Sequence, residues 1–317
     1  MKKDWSYSIL FLFNFVVNLK ENNISVFTLG TFDGVHLGHQ KIIRKIVNDA
    51  QDINAKSVVF TFFPHPKSVL TSSEIIKTIN TIDERIALLK KFGIDLVHVQ
   101  EFTQEFSNLE AEDFVKTYLV DTFHVKKAII GYDHKFGKNR SATIHDLENF
   151  GKKYHFEVEQ ISVEETNHLA VSSSRIRQAI SNGNIEEANM LLGYTYFFSG
   201  KVIQGNQLGR TIEFPTANIF VEENYKLLPK HGVYIVQSTI EQKVYYGLMN
   251  IGVKPTVNGV QESIEVHFLN LDKDLYHCTL KIEVISFIRN EQKFESIEAL
   301  KQQINADKQY ALRFLNK

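Results

Sequence analysis

The strongest constraint on how this chain folds is a change of hydrophobic pattern near Gly193. Before it, β-branched runs alternate with amphipathic helices. Ile24–Leu29, Ser57–Phe62, Ile94–Val99, Lys126–Ile130 and Phe156–Val163 read as strands, and residues such as Ile42, Ile43, Ile46, Val47 and Ala50 recur at helical spacing between them. Strand, helix and strand in repetition require right-handed crossovers and a parallel sheet covered on both faces, and such sheets bind ligands outside the carboxyl ends of their strands. Two helix starts carry capping-box signatures, Thr81 with Glu84 and Ser107 with Glu110. Beyond Gly193, Phe198–Ile203, Thr216–Val221, Val233–Ile240, Lys243–Ile251, Ser263–Leu269 and Tyr276–Ile288 read as consecutive strands, and only Ser296–Leu315 reads as a long helix. That pattern predicts a small six-stranded antiparallel β-barrel with a terminal helix. Short helical patterns, broken at Asn182-Gly183, join the two parts. The expected organisation is an N-terminal extension or first strand over 1–23, an α/β domain over 24–182, a linker helix region over 183–195 and a barrel domain over 196–317.

A length of 317 residues agrees with two separate cores, and 43% apolar with 23% charged residues is ordinary globular usage. The formal net charge of -1 supplies no global field to gather nucleic acid or an anionic membrane, so any phosphate must be held by local sites. Cys278 is the single cysteine, which excludes an intrachain disulfide and a thiolate metal cage and points to a reducing cytoplasm. Ile9–Val17, preceded by Lys2 and Lys3, imitates a signal peptide, but Asn14 interrupts it and no small-residue cleavage site follows. It is also shorter than the ~20 residues of a spanning helix, so a buried strand or an upstream extension is the better reading.

The most informative string is GTFDGVHLGH, Gly30 to His39, between the first strand and the first helix. Gly30 and Gly34 permit a tight turn, and the helix start offers free N–H groups and a positive dipole end to phosphate. His36 and His39 flank Leu-Gly at that corner, where they can donate hydrogen bonds to charge building on a leaving pyrophosphate. Three further strings fall at the same strand ends. FTFFPHP places His65 between Pro64 and Pro66, GYDHKFGKNR gathers Asp133, Lys135, Lys138 and Arg140, and SSSRIR opens a helix with Ser172, Ser173, Ser174, Arg175 and Arg177. Taken singly each is also readable as a stiffened loop, a solvated turn or an ordinary helix start. Together with the histidine corner they provide what attack at an α-phosphorus needs: neutralised oxygens and an aligned leaving group.

In the second half, GNQLGRTIEFPTANI joins a glycine-rich turn, with Gly205 and Gly209, to Pro215-Thr216-Ala217-Asn218. No Walker lysine motif is present, yet these glycines can fold backbone amides around phosphates. On a strand, Thr216 and Asn218 point the same way and offer hard oxygen donors of the kind Mg²⁺ prefers. Glu265 is readable either as an outward strand glutamate or as a general base for a substrate hydroxyl.

From Ile24 to Phe314 the chain resembles the bacterial bifunctional riboflavin kinase and FMN adenylyltransferase family, the FAD synthetases. The resemblance rests on the histidine corner, the SSSRIR string, and PTANI, HGVYIV, NIGVKPT, EVHFL and FIRNEQKF. It implies a Rossmann-like nucleotidyltransferase domain over 24–182 and a riboflavin kinase domain over 196–317. By resemblance, riboflavin and ATP give FMN at the barrel, and FMN and ATP give FAD at the α/β domain, with Mg²⁺ as cofactor and ATP as co-substrate. His36 and His39 then bind ATP phosphates and stabilise the transition state, and Phe32 and Asp33 belong to the same nucleotide motif as Gly30. Ser172, Ser173, Arg175 and Arg177 hold phosphates, Asp133 lies in the flavin loop, Thr216 and Asn218 hold Mg²⁺-ATP, Glu265 takes the proton of the riboflavin 5′-hydroxyl, and Arg289 with its loop covers the flavin.

The expected partners are riboflavin, FMN, FAD and ATP, with no nucleic acid and no membrane, in a monomer or weak homo-oligomer. The chain departs from the family pattern at Ser174 for threonine, His134 for phenylalanine, and Asn139, Ala142 and Glu213 for glycines. It departs also at Val257 for an aromatic and at Asn270-Leu271 for Asp-Phe. Two rivals stand beside the bifunctional reading: an adenylyltransferase with an impaired kinase half, and a flavin-binding regulator without turnover.

Overall fold

The computed structural model describes residues 24–71, 76–131, 135–161, 171–205, 212–256 and 259–316. Asp133, His134, Gly209, Val257 and Ile9–Val17 lie outside the described residues, as do the expectations attached to them. The chain packs as two compact units, Met1–Ile76 with Ile82–Ala170 and Lys77–Thr81 with Val171–Lys317.

The first unit runs β1 (Ser25–Leu29), α1 (Leu37–Asp52), β2 (Lys56–Phe63), α2 (Pro66–Leu70), α3 (Ile82–Lys91), β3 (Leu96–Glu101) and α4 (Gln104–Ser107). It continues with α5 (Ala111–Phe114), which widens into π turns over Val115–Thr122, then β4 (Val125–Gly131), α6 (Ile144–Tyr154) and β5 (Glu157–Ile161). The strands form one parallel sheet in the order β3-β2-β1-β4-β5. All five residues of β1 are buried, as the central strand of a sheet covered on both faces must be. Strand order reverses at β1, with β2 on one side and β4 on the other, so the carboxyl ends of β1 and β4, at Leu29 and Gly131, flank the crevice where such sheets bind ligands. Phe27, Phe60, Phe114, Leu119 and Ile130 are central to its core.

The capping box expected at Ser107 and Glu110 does not form. Thr103 starts the helix four residues earlier by accepting from Phe106 N–H, so Ser107 already ends α4 and its hydroxyl donates back to Gln104 C=O. Glu110 precedes α5 without a side-chain cap. A reciprocal box stands instead at α6, where Asp146 accepts from the N–H and the hydroxyl of Thr143.

The second unit contains α7 (Ser173–Asn182), α8 (Ile185–Leu192), β6 (Phe197–Ile203), β7 (Ala217–Phe220), β8 (Gly232–Ile240), β9 (Lys243–Thr256), β10 (Gly259–Phe268), β11 (Thr279–Arg289) and α9 (Ile297–Leu315). The strands close into a barrel in the order β10-β7-β6-β11-β8-β9, every pairing antiparallel. Gly183 and Gly193 end α7 and α8 in the left-handed conformation, the usual glycine stop. The helices they punctuate do more than connect: Ile176, Ile180, Ile185, Leu191 and Leu192 share one core with Tyr234, Met249 and Ile282 of the barrel. Alternation along β8 sends Tyr234 and Val236 into that core, while Ile235 and Leu248 pack on the other face beneath Ala311 of α9.

The anchor of α9 is ionic. Asp307, 4% exposed, accepts from Arg289 Nε at 3.1 Å and Nη2 at 2.9 Å, and from Gln303 at 2.9 Å. Asp307→Ala would leave a guanidinium without its fork partner, and we expect unfolding of this unit to be easier by about 3 kcal/mol in denaturant titrations. Glu213 adopts φ +68°, the left-handed region, which accounts for glycine at this position in the family pattern. Glu213→Gly relieves that strain but gives the unfolded chain more freedom, so the expected net gain is about 0.5–1 kcal/mol, visible as a higher unfolding midpoint. Asn139 and Asn270 sit at φ +55° and +57°, which asparagine tolerates better than most residues.

Candidate functional site

The first candidate site grows from the turn between β1 and α1. Phe32, Gly34 and Val35 all have positive φ, at +47°, +84° and +37°, and this tight path brings the chain straight from a buried strand into a helix. His36 is the N-cap of α1, its Nδ1 accepting from His39 N–H at 3.4 Å. The two imidazoles stack with centroids 3.6 Å apart and planes 17° from parallel, and Phe32 packs on His39 at 5.0 Å. Gly38 packs tightly under that stack, since a Cβ there would lie 3.2 Å from His36 Cε1 and the ring would have to give way. Gly30 meets the Phe32 ring in the same way. Asp33 is fully buried beneath the turn.

Burial drives the His36 pKa down to about 4, with Asp33 opposing, and holds His39 well below its ordinary value, helped by His36 and by the positive charge of Arg85. Both rings are therefore neutral at pH 7. His39 Nδ1 is buried and has no hydrogen-bond partner among the described residues. A neutral imidazole pair at a helix N-terminus is a cradle for an incoming polyanion.

The same end of the sheet carries aromatic residues that sequence reasoning did not single out. Phe62, at the end of β2, meets Phe102 at 5.6 Å and Phe106 at 6.0 Å, all three partly exposed. The run FTFF was visible as a strand, but nothing local says that a second phenylalanine cluster from beyond β3 arrives beside it. His65 caps α2 through Lys67 N–H, and Lys138 pairs with Glu110 at 3.2 Å. Arg85 was also missed. It lies on the inner face of α3, where an arginine in an amphipathic pattern reads as a solvated residue.

The serine and arginine string opens α7 in the second unit, not in the unit that carries the histidines. Ser172 is its N-cap, accepting from Arg175 N–H at 3.2 Å, and Ser173 begins the helix. Arg175 forks onto Glu187 at 2.7 and 3.0 Å, and Arg177 reaches Ser174 Oγ at 3.1 Å.

The second candidate site is on the outer face of the barrel. Ile264 and Val266 point into the core, so Glu265 between them points out, as Asn218 does beside buried Ile219. Register then assembles the group: Glu265 lies opposite Asn218 on β7 and opposite Asn250 on β9. Thr216 donates its hydroxyl to Glu265 Oε2 at 3.0 Å, and His267 bonds the carbonyl of Pro215 at 2.9 Å. Gly205 packs where a Cβ would collide with the Asn218 amide, so the glycine-rich turn starts against that side chain. Asn250 is the member sequence reasoning missed; it opens NIGVKPT, but only pairing of non-adjacent segments shows it beside Glu265. Arg289 spends its donors on Asp307 and on Asn290 C=O, which places it as the clamp of the following loop. In that loop Glu291 sits against Gly252 and accepts from Asn250 at 3.4 Å.

Linkage fixes the sign of one pH effect. Below its unfolded pKa near 6.5, His36 binds a proton in the unfolded chain but not in the folded one, so stability is complete above pH 6.5 and declines as pH falls toward about 4. The loss for this group reaches roughly 3 kcal/mol at most, and His39 acts in the same direction. Unfolding midpoints of the first unit measured from pH 7.5 to 4 should fall in that window, and the slope should flatten in His36→Gln.

A family model described as FAD synthetase matches residues 18–175, and one described as riboflavin kinase matches residues 192–315. The bifunctional riboflavin kinase/FMN adenylyltransferase of Bacillus subtilis is 37% identical over 94% of this chain and 94% of its own length. That of Listeria monocytogenes is 38% identical over 92% and 93%, and that of Buchnera aphidicola from Acyrthosiphon pisum 36% over 94% and 96%. A crystal structure titled as a macrolide-efflux protein from Streptococcus pneumoniae matches with a TM-score of 0.83 at 32% identity, over 93% of this chain and 95% of that one. Among the described residues no helix is long and apolar enough to cross a membrane. Both site geometries fall within the matched segments, and with nearly the full length of these relatives aligned, the chain belongs to the bifunctional riboflavin kinase/FMN adenylyltransferase family.

Proposed function

We propose that the chain makes flavin cofactors in two ATP-dependent steps, phosphorylation of riboflavin to FMN at the barrel and adenylylation of FMN to FAD at the parallel-sheet unit. The observation that carries this reading is that each unit builds its own anion-handling constellation: stacked neutral imidazoles at the N-cap of α1, and Glu265 set between two asparagines with Thr216 on its carboxylate.

At the barrel, Glu265 takes the proton of the riboflavin 5′-hydroxyl as that oxygen bonds to the γ-phosphorus of ATP and ADP leaves. The Thr216 hydrogen bond orients the carboxylate for this task. Mg²⁺ fits the donor set. Thr216, Asn218 and Glu265 offer hard oxygens from adjacent strands, and such a cation keeps most of its shell for water and phosphate. When bound, it neutralises charge on the ATP phosphates. Gly205 and Gly209 give the backbone approach to those phosphates, and Arg289 holds the loop that covers the flavin.

At the parallel sheet, an FMN phosphate oxygen attacks the α-phosphorus of ATP, and the P–O bond to pyrophosphate breaks. His36 and His39 donate hydrogen bonds as charge builds on the leaving group, α1 contributes its N-terminal amides, and Phe32 and Asp33 hold the turn. Ser172, Ser173, Arg175 and Arg177 are assigned to phosphate and Asp133 to the flavin loop. Phe62, Phe102 and Phe106 supply an apolar wall suited to an isoalloxazine. The single exposed thiol, Cys278, agrees with a reducing compartment, and we place the enzyme in the cytoplasm.

Chromatographic product analysis after incubation with riboflavin, ATP and Mg²⁺ should show FMN and then FAD. Glu265→Gln should slow FMN formation by roughly 10²–10⁴-fold while FAD still forms from supplied FMN. His36→Ala should have the reverse effect, with riboflavin phosphorylation intact. Loss of both reactions from either change in a folded protein would refute the division of labour.

A further inference from the structure

Arg85 is 1% exposed, a burial that a cation sustains only with compensating partners. Its Nη2 stands 4.0 Å from Asp33 Oδ1, and Nη1 stands 3.4 Å from Thr61 Oγ1 and 3.3 Å from Phe62 C=O. Thr61 in turn donates to Thr31 C=O at 3.1 Å. Through these contacts Arg85 links the end of β2 to Asp33, in the Gly30–His39 turn that carries the imidazole stack. We propose that Arg85 is a positioning residue for FMN adenylylation, bracing Asp33 and the β2 terminus so that the His36–His39 pair keeps the geometry and charge state that nucleotidyl transfer uses.

Several groups act on the pair from the elements around it. Asp33 acts on His36, while His36 and Arg85 both act on His39 and favour its uncharged form. Removing the guanidinium should therefore raise the protonation midpoint of His39, an effect that a packing role would not produce.

The inference rests on the two-site reading, and the bifunctional chain carries its own control. Arg85→Met and Arg85→Lys would be compared with wild type in the full-length protein by FAD formation from FMN and ATP, by riboflavin phosphorylation, and by NMR titration of the histidine rings. Arg85→Met should lower kcat for FAD formation roughly 10–100-fold, leave riboflavin phosphorylation within about twofold and raise the His39 midpoint. Arg85→Lys keeps the charge and should retain the wild-type midpoint and most of kcat. Wild-type FAD formation by Arg85→Met, or equal losses in both variants with the midpoint unmoved, would overturn the proposal. If Arg85→Met fails to fold, a shifted midpoint in folded Arg85→Lys would overturn it alone. Absence of FAD formation by the wild-type chain would instead remove the underlying reading.

Discussion

The backbone hydrogen-bond ladder decides where chemistry can happen in both units. In the first, parallel pairing forces every strand to end at the same edge of the sheet, so the carboxyl ends of β1, β2 and β4 lie side by side without any further instruction. In the second, antiparallel pairing of β10 with β7 and β9 fixes a row of Asn218, Glu265 and Asn250 across three strands. A one-residue slip would turn Glu265 into a core of isoleucine and valine, where an unpaired carboxylate is costly, so the hydrophobic alternation of Ile264, Val266 and Phe268 protects the site as well as the fold.

Electrostatics then divides the labour between burial and exposure. The histidines sit deep enough to be neutral, which suits groups that receive a polyanion and donate hydrogen bonds to it. Glu265 remains half-buried on the barrel exterior, where its carboxylate accepts a hydrogen bond from the Thr216 hydroxyl. Two arginines serve different elements. Arg289 forks onto Asp307 and fastens a helix, whereas the fully buried Arg85 reaches Asp33, Thr61 and the Phe62 carbonyl.

Much of this was legible in the residues. Every expected strand of the described units is present to within a few residues, and Asn182-Gly183 and Gly193 mark the helix ends because left-handed backbone favours glycine. The histidine corner was legible because a strand, a glycine turn and a helix start leave few places for the two rings. Other features were not. Ser107 looks like a cap, yet Thr103 wins the helix start; Arg85 looks like a surface residue; Asn250 carries no local sign of its neighbour; and the helices near 183–195 read as a connection although their leucines and isoleucines fill the barrel core.

The amino-acid sequence by itself determined the change from helix-and-strand alternation to strands alone and the glycine punctuation, because each of these depends on local periodicity and backbone freedom. Only the tertiary structure decided that Glu265 lies between Asn218 and Asn250, that the imidazoles stack and lose their charge, and that Arg85 is buried beneath them. Those outcomes depend on register and desolvation, which arise between segments far apart in the chain and leave no mark on any one of them.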